Sequence, residues 1–160
     1  IKLTMVTSLY REGDNSFLMT LNRKIKELNL EKFVSIHSDY KQDKDSLALL
    51  SKTDLIVLPY QSTKESSSAS VRHCIASGVP VAITPNSIFE DIEGLAYVLP
   101  GSTPQLLKTG IKDYLFNKRE SLIGNETYIQ KWINQHSFTR LSIRLQGLIK
   151  GLENNDNNWL

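Results

Sequence analysis

Short apolar runs alternate along this chain with stretches in which apolar side chains return every three or four positions. The first pattern fits buried strands and the second fits helices with one face turned inward. Leu3-Thr4-Met5-Val6-Thr7 leans towards a strand, Arg11-Glu12-Gly13-Asp14-Asn15 breaks it, and Phe17, Leu18, Leu21, Ile25 and Leu28 then recur at helical spacing. Phe33-Val34-Ser35-Ile36 predicts a second strand, and Asp45 can cap a helix carrying Leu47, Leu49 and Leu50 before Thr53. Asp54-Leu55-Ile56-Val57-Leu58-Pro59 is nearly all apolar, as a strand covered on both faces would be, and it is read as the central one.

Beyond a polar loop from Tyr60 to Ser67, a helix is predicted over Ala69 to Ser77, closed by Gly78, which permits a left-handed cap. Val79-Pro80-Val81-Ala82-Ile83-Thr84 and Ala96-Tyr97-Val98-Leu99 complete five strands. The last third reads as helix, from Pro104 to Phe116 and from about Ser121 to Leu152, interrupted near Gln135-His136-Ser137. Strands alternating with helices imply parallel pairing, hence an α/β fold with a doubly wound sheet and C-terminal helices. Residues 1–152 are expected to form one domain and 153–160 a flexible, Asn-rich tail. The chain opens at Ile1 and runs at once into a strand, so it is expected to be a piece of something longer.

Composition narrows the class without naming it. Apolar residues make up 40% and charged residues 22%, ordinary values for a globular chain of 160 residues. A net charge of +2, with cations scattered among acids, gives no footprint for nucleic acid. The single cysteine, Cys74, cannot form a disulfide within the chain, which suits a reducing compartment, so the expected location is cytoplasmic. No apolar run approaches the roughly 20 residues of a bilayer span, so the only membrane association expected is peripheral, at the inner face.

Ligands of open α/β sheets bind beyond the carboxyl ends of strands, which directs attention to the segment after Pro59. Tyr60-Gln61-Ser62-Thr63-Lys64-Glu65-Ser66-Ser67-Ser68-Ala69-Ser70 gathers hydroxyls, a carboxylate and a cation just before a helix. Unpaired N–H groups at a helix start attract phosphate, with the dipole alone contributing about 0.3–1 kcal/mol. Ser66, Ser67 or Ser68 acting only as a helix cap is the plainer alternative, and composition leaves the two open.

These residues resemble a known family. Asp54 to Gln61, Glu65-Ser66-Ser67-Ser68-Ala69-Ser70-Val71-Arg72 and Ala76 to Pro85 together look like the donor-site segment of retaining glycosyltransferases of the GT-B fold, the large family-four group. Ile88-Phe89-Glu90-Asp91, Leu99-Pro100-Gly101 and Trp132 followed by His136-Ser137-Phe138 are similar to a bacterial branch of it. The resemblance implies a Rossmann-like, donor-binding C-terminal domain, lacking its first strand and the N-terminal acceptor domain. It implies transfer of a sugar from a nucleotide-diphosphate sugar to an acceptor hydroxyl, with retention, without metal and without a cofactor. The acceptor would be a glycan or lipid-linked glycan in polysaccharide, lipopolysaccharide or glycoconjugate biosynthesis, held by the absent domain, and the isolated piece would be inactive.

Family members carry two glutamates separated by seven residues; Glu65 matches the first, which lies near the transferred sugar, and His73 stands where the second holds the ribose. A neutral imidazole offers one acceptor where a carboxylate can take both hydroxyls of a diol. The bland reading of His73 is a helix histidine without function. Ser66, Ser67 and Ser68 would present backbone amides to the sugar and diphosphate, and Arg72 would contact phosphate or hydroxyls, unless it merely pairs with Glu65. The His37-Ser38-Asp39 loop would lie near the base. Asp43-Lys44-Asp45 has an acid-x-acid spacing but reads as a solvated helix start, so no metal is expected. Cys74 reads as core and not as a nucleophile, and Leu141, Leu145, Leu148 and Leu152 read as a packing stripe. Two rival classes stay open: a non-catalytic nucleotide-sugar-binding or scaffolding domain, and a sugar-nucleotide epimerase.

Overall fold

The structure is a computed structural model that describes residues 1–7, 15–39, 42–65, 67–92, 94–118 and 126–156. The turn residues Arg11 to Asp14, Ser66, Ser121 and the last four residues of the tail lie outside the described residues. The chain divides into two compact units, Ile1–Asp45 and Ser46–Leu160.

In the first unit, β1 (Leu3–Val6) and β2 (Val34–His37) pair in parallel through α1 (Ser16–Glu27), with Leu3 opposite Val34 and Val6 opposite His37. Leu18, Leu21 and Ile25 form the half-buried side of α1, whereas Phe17 and Leu28, which were expected on the same face, are more than half exposed. Asn29 ends this helix in the left-handed region (φ 54°). Its amide donates to Lys26 O at 3.0 Å and the Leu30 amide to Ile25 O at 2.9 Å, the paired bonds of a Schellman cap with asparagine in glycine's usual place.

A helix crosses the boundary in sequence, α2 (Asp43–Leu50), and it starts three residues earlier than a cap at Asp45, with Ser46 as first helical residue, would require. Asp43 and Asp45 both fall in its first turn, where their charges favour the positive end of the helix dipole.

The second unit carries β3 (Ile56–Leu58), β4 (Val81–Ile83) and β5 (Tyr97–Val98), all parallel, in the order β3-β4-β5. β4, and not the run before Pro59, is the middle and most buried strand: Val81, Ala82 and Ile83 are all buried. Both segments are apolar throughout, so periodicity could not rank them. Pro80 sits just before β4, where it costs no ladder bond, and its carbonyl accepts from Ile56 N at 2.9 Å.

α3 (Ala69–Ala76) buries Val71, Cys74 and Ile75 against Ile56, Ile83, Ile88, Phe89 and Ile92. It stops where expected, with Gly78 at φ +75°. A 3₁₀ turn over Ser87–Ile92 follows β4. α4 (Pro104–Asp113), capped by Thr103, continues as a π-turn over Tyr114–Lys118. Gly110 lets α4 approach the end of β5 closely, since a Cβ there would lie 2.5 Å from Pro100 Cδ and 2.7 Å from Leu99 Cδ2. Gly110→Ala is therefore expected to lower stability by about 1–3 kcal/mol in urea melts, although alanine is the better helix former; an unchanged or raised midpoint would show that the contact yields freely.

α5 (Glu126–Gln135) and α6 (Phe138–Asp156) finish the chain, with the break falling at His136-Ser137 as anticipated. α6 continues past Leu152 to Asp156. Ile129, Trp132 and Ile133 of α5 pack against the core, and the His136 ring stacks on Trp132 at 4.1 Å. The Trp-His-Ser-Phe segment is thus the joint between two helices. The stripe of Leu141, Leu145, Leu148 and Leu152 is 43–68% exposed. Among the described residues no helix is long and apolar enough to cross a membrane.

Candidate functional site

The loop from Pro59 to Ser68 leaves the carboxyl end of β3 and feeds α3, and its base is fastened by the segment after β4. Thr84, itself buried, donates its hydroxyl to Tyr60 O at 2.7 Å, and Asn86 Nδ2 donates to Gln61 O at 2.5 Å. The Tyr60 ring meets Phe89 at 5.2 Å. Neither Thr84 nor Asn86 stood out in the sequence, because their role depends on two strands lying side by side.

Above that base the loop is open to solvent. Gln61, Ser62, Lys64, Glu65 and Ser67 are exposed, and the Glu65 amide donates to Thr63 Oγ1 at 3.2 Å. No described residue bonds or pairs with the Glu65 carboxylate. Ser68 is buried and caps α3, its Oγ accepting from Val71 N at 3.2 Å. The plain reading of the serine run is therefore realised by Ser68 alone, since Ser67 and Ser70 are exposed and Ser66 lies outside the described residues. No described residue accepts from the amides of Ser67, Ala69 and Ser70. Amides left unfilled at a helix start carry the positive end of the dipole, which is chemistry suited to an anion.

Arg72 does not pair with Glu65. Its Nη1 donates to Ser68 O at 2.8 Å and its Nη2 forms an ion pair with Asp91 in the 3₁₀ turn. Ile88 and Phe89, both buried, anchor that turn and so aim Asp91 at the helix. The pair is about two-fifths exposed on each side and Arg72 is partly neutralised by it. His73, one residue on, is half-buried, and its Nε2 is shut from solvent without a hydrogen-bond partner among the described residues. An orphaned nitrogen of this sort costs about 1–3 kcal/mol unless something fills it.

Cys74 lies in the core and burial pushes its thiol up from 9.0 to about 11. The raised value means that the folded state holds the thiol proton more tightly; that stabilisation is complete below pH 9.0 and is lost as pH rises through about 11. Thiol reagents are expected to label the folded protein slowly near about pH 8 and rapidly once denaturant opens it. Fast labelling of the native protein at that pH would contradict the burial.

Two depressions are described in the second unit, one between α5 and α6 and one beside Tyr97, Pro100 and Lys108, and neither borders the β3–α3 loop. No group of three or more His, Cys, Asp or Glu among the described residues could hold a metal ion. His37, at the end of β2, and Ser38 are half-buried, and Asp39 is exposed.

A parallel α/β layer with a solvent-open loop at a strand's carboxyl end places this chain among Rossmann-like domains. Among solved structures it is similar to sucrose-phosphate synthase from Thermosynechococcus elongatus, with a TM-score of 0.69 and 16% identity, over 96% of this chain and 39% of that one. The chain thus spans about two-fifths of that neighbour, and the likeness shows the fold alone, a Rossmann-like α/β layer of the kind that makes up one half of a GT-B structure. No protein-family model matches the chain, and no curated protein sequence matches it.

Proposed function

We propose that this chain is the donor half of a retaining, metal-independent glycosyltransferase and receives a nucleotide-diphosphate sugar at the start of α3. The observation that supports this most is that no described residue accepts from the amides of Ser67, Ala69 and Ser70, which follow closely in sequence on the exposed Glu65, itself without a carboxylate partner among the described residues. The amides would hold the diphosphate and stabilise its growing charge as the sugar leaves. Glu65 would orient the sugar and stabilise the positive charge developing on it. Ser66 would add a further amide. Ser68 acts through its cap, keeping the amides aligned, and Arg72 braces that cap through the Ser68 carbonyl and Asp91. His73 would have to turn its ring to offer Nε2 to the ribose, because that nitrogen is shut from solvent in the structure.

The acceptor, a glycan or lipid-linked glycan, would be held by a second domain, and the exposed leucine stripe of α6 suits packing against it. Such transfer would serve polysaccharide, lipopolysaccharide or glycoconjugate assembly in the cytoplasm.

Calorimetry with uridine and guanosine diphosphates and their sugars tests the reading. Stoichiometric binding, weakened about tenfold or more in His73→Ala, is expected; no heat with any of them would overturn it. One observation favours a second reading, a binding module without turnover: a histidine stands where the resemblance calls for a carboxylate. A longer protein that includes an acceptor domain separates the two, because binding without donor hydrolysis or transfer would select the module.

A further inference from the structure

We propose that the cleft between α5 and α6 is a second anion site, which takes phosphate-bearing groups independently of the α3 loop. The cleft is open to solvent, has a volume of about 890 Å³ and is lined by the exposed side chains of Lys131, Arg140 and Arg144 together with the exposed amides of Gln130, Asn134 and Gln135. Among the described side chains no acid lines it, although the whole chain has 17 acids against 19 lysines and arginines. Charges that are nearly balanced overall have been sorted here.

Helical spacing explains the sorting. Gln130 with Asn134, Lys131 with Gln135, and Arg140 with Arg144 are each four apart, so each helix turns one polar stripe to the cleft. Two like charges four apart repel by a few tenths of a kcal/mol. Arg140 also lies in the first turn of α6, which has no acidic residue there to offset the positive helix end. None of the three cations has an ion-pair partner among the described residues. An anion between the helices would relieve both repulsions at once. Arginine forks and amide donors suit the oxygens of a phosphoryl group, which accept several hydrogen bonds together. Such a group could come from a soluble phosphate or from the headgroup of an anionic lipid.

The test is a titration of the whole chain with inorganic pyrophosphate, followed by the backbone amide NMR signals of residues 130–135 and 140–144, which the parent and the variants share. A parallel arm measures co-sedimentation with phosphatidylglycerol vesicles, against phosphatidylcholine vesicles as the neutral control. Pyrophosphate shifts are expected to saturate, to weaken at least about tenfold in Arg140→Gln/Arg144→Gln, and to persist in Arg140→Lys/Arg144→Lys. They should also persist in Ala69→Pro, which alters only the α3 amides. Pyrophosphate binding without vesicle binding assigns the cleft to soluble phosphates, whereas vesicle binding that pyrophosphate displaces assigns it to headgroups. Either result supports the site. No response to both probes, or equal affinity in the glutamine variant, overturns it.

Discussion

Ala69→Pro is expected to weaken nucleotide-diphosphate binding by about tenfold or more while leaving the fold intact. Ala69 is the first residue of α3, the one helical position where proline is welcome because its missing N–H has no partner within the helix. Proline also demands an extended residue before it, and Ser68 already has φ −109° and ψ 118°. The substitution therefore removes one unfilled amide and little else. A hydrogen bond to a charged group contributes about 1.5–3 kcal/mol, which sets the size of the loss. A thermal midpoint close to that of the parent, with the affinity reduced in calorimetry, is the expected pair of results. An unchanged affinity would remove the Ala69 amide from the site.

Ile75→Ala should have the largest effect on stability, about 2–5 kcal/mol in denaturant unfolding. Ile75 is 1% exposed and sits in the cluster that joins α3 to β3, β4 and the 3₁₀ turn. Alanine's better helix propensity returns only a few tenths of a kcal/mol. Since domains of this size are stable by about 5–15 kcal/mol, the variant should remain folded at low temperature with a much lower midpoint. The same helix carries the candidate site on its first turn, so a loss below about 1 kcal/mol would mean that α3 is not seated as described.

The architecture was largely legible because it follows from local rules. Apolar runs gave the five strands, a 3.6-residue recurrence gave the helices, and Gly78 marked the end of α3. The likeness to sucrose-phosphate synthase agrees with the fold that the residue pattern and the family resemblance implied. What escaped was ranking and edges. Two equally apolar strands could not be ordered by burial, and the start of α2 slipped because Asp43 and Asp45 both make acceptable openings.

The candidate site was legible as a location but not as a set of contacts. Ser68 alone accounts for the cap among the described serines, and nothing local could have singled it out. Arg72 reaches Asp91, nineteen residues away in sequence, because Ile88 and Phe89 fix the intervening turn in the core. Asp91 was present in the motif from Ile88 onwards, yet only tertiary packing shows what it does. The α5–α6 cleft was invisible for the same reason, since its cations belong to two helices whose pairing the sequence does not state.

The central claim is that the amides entering α3 receive the anionic end of an activated sugar. It is tested most directly by following backbone amide NMR shifts during titration with uridine or guanosine diphosphate. The account predicts that Ser67, Ala69 and Ser70 move together and saturate at one affinity. Shifts confined to other segments, with those three amides unmoved at saturation, would contradict it.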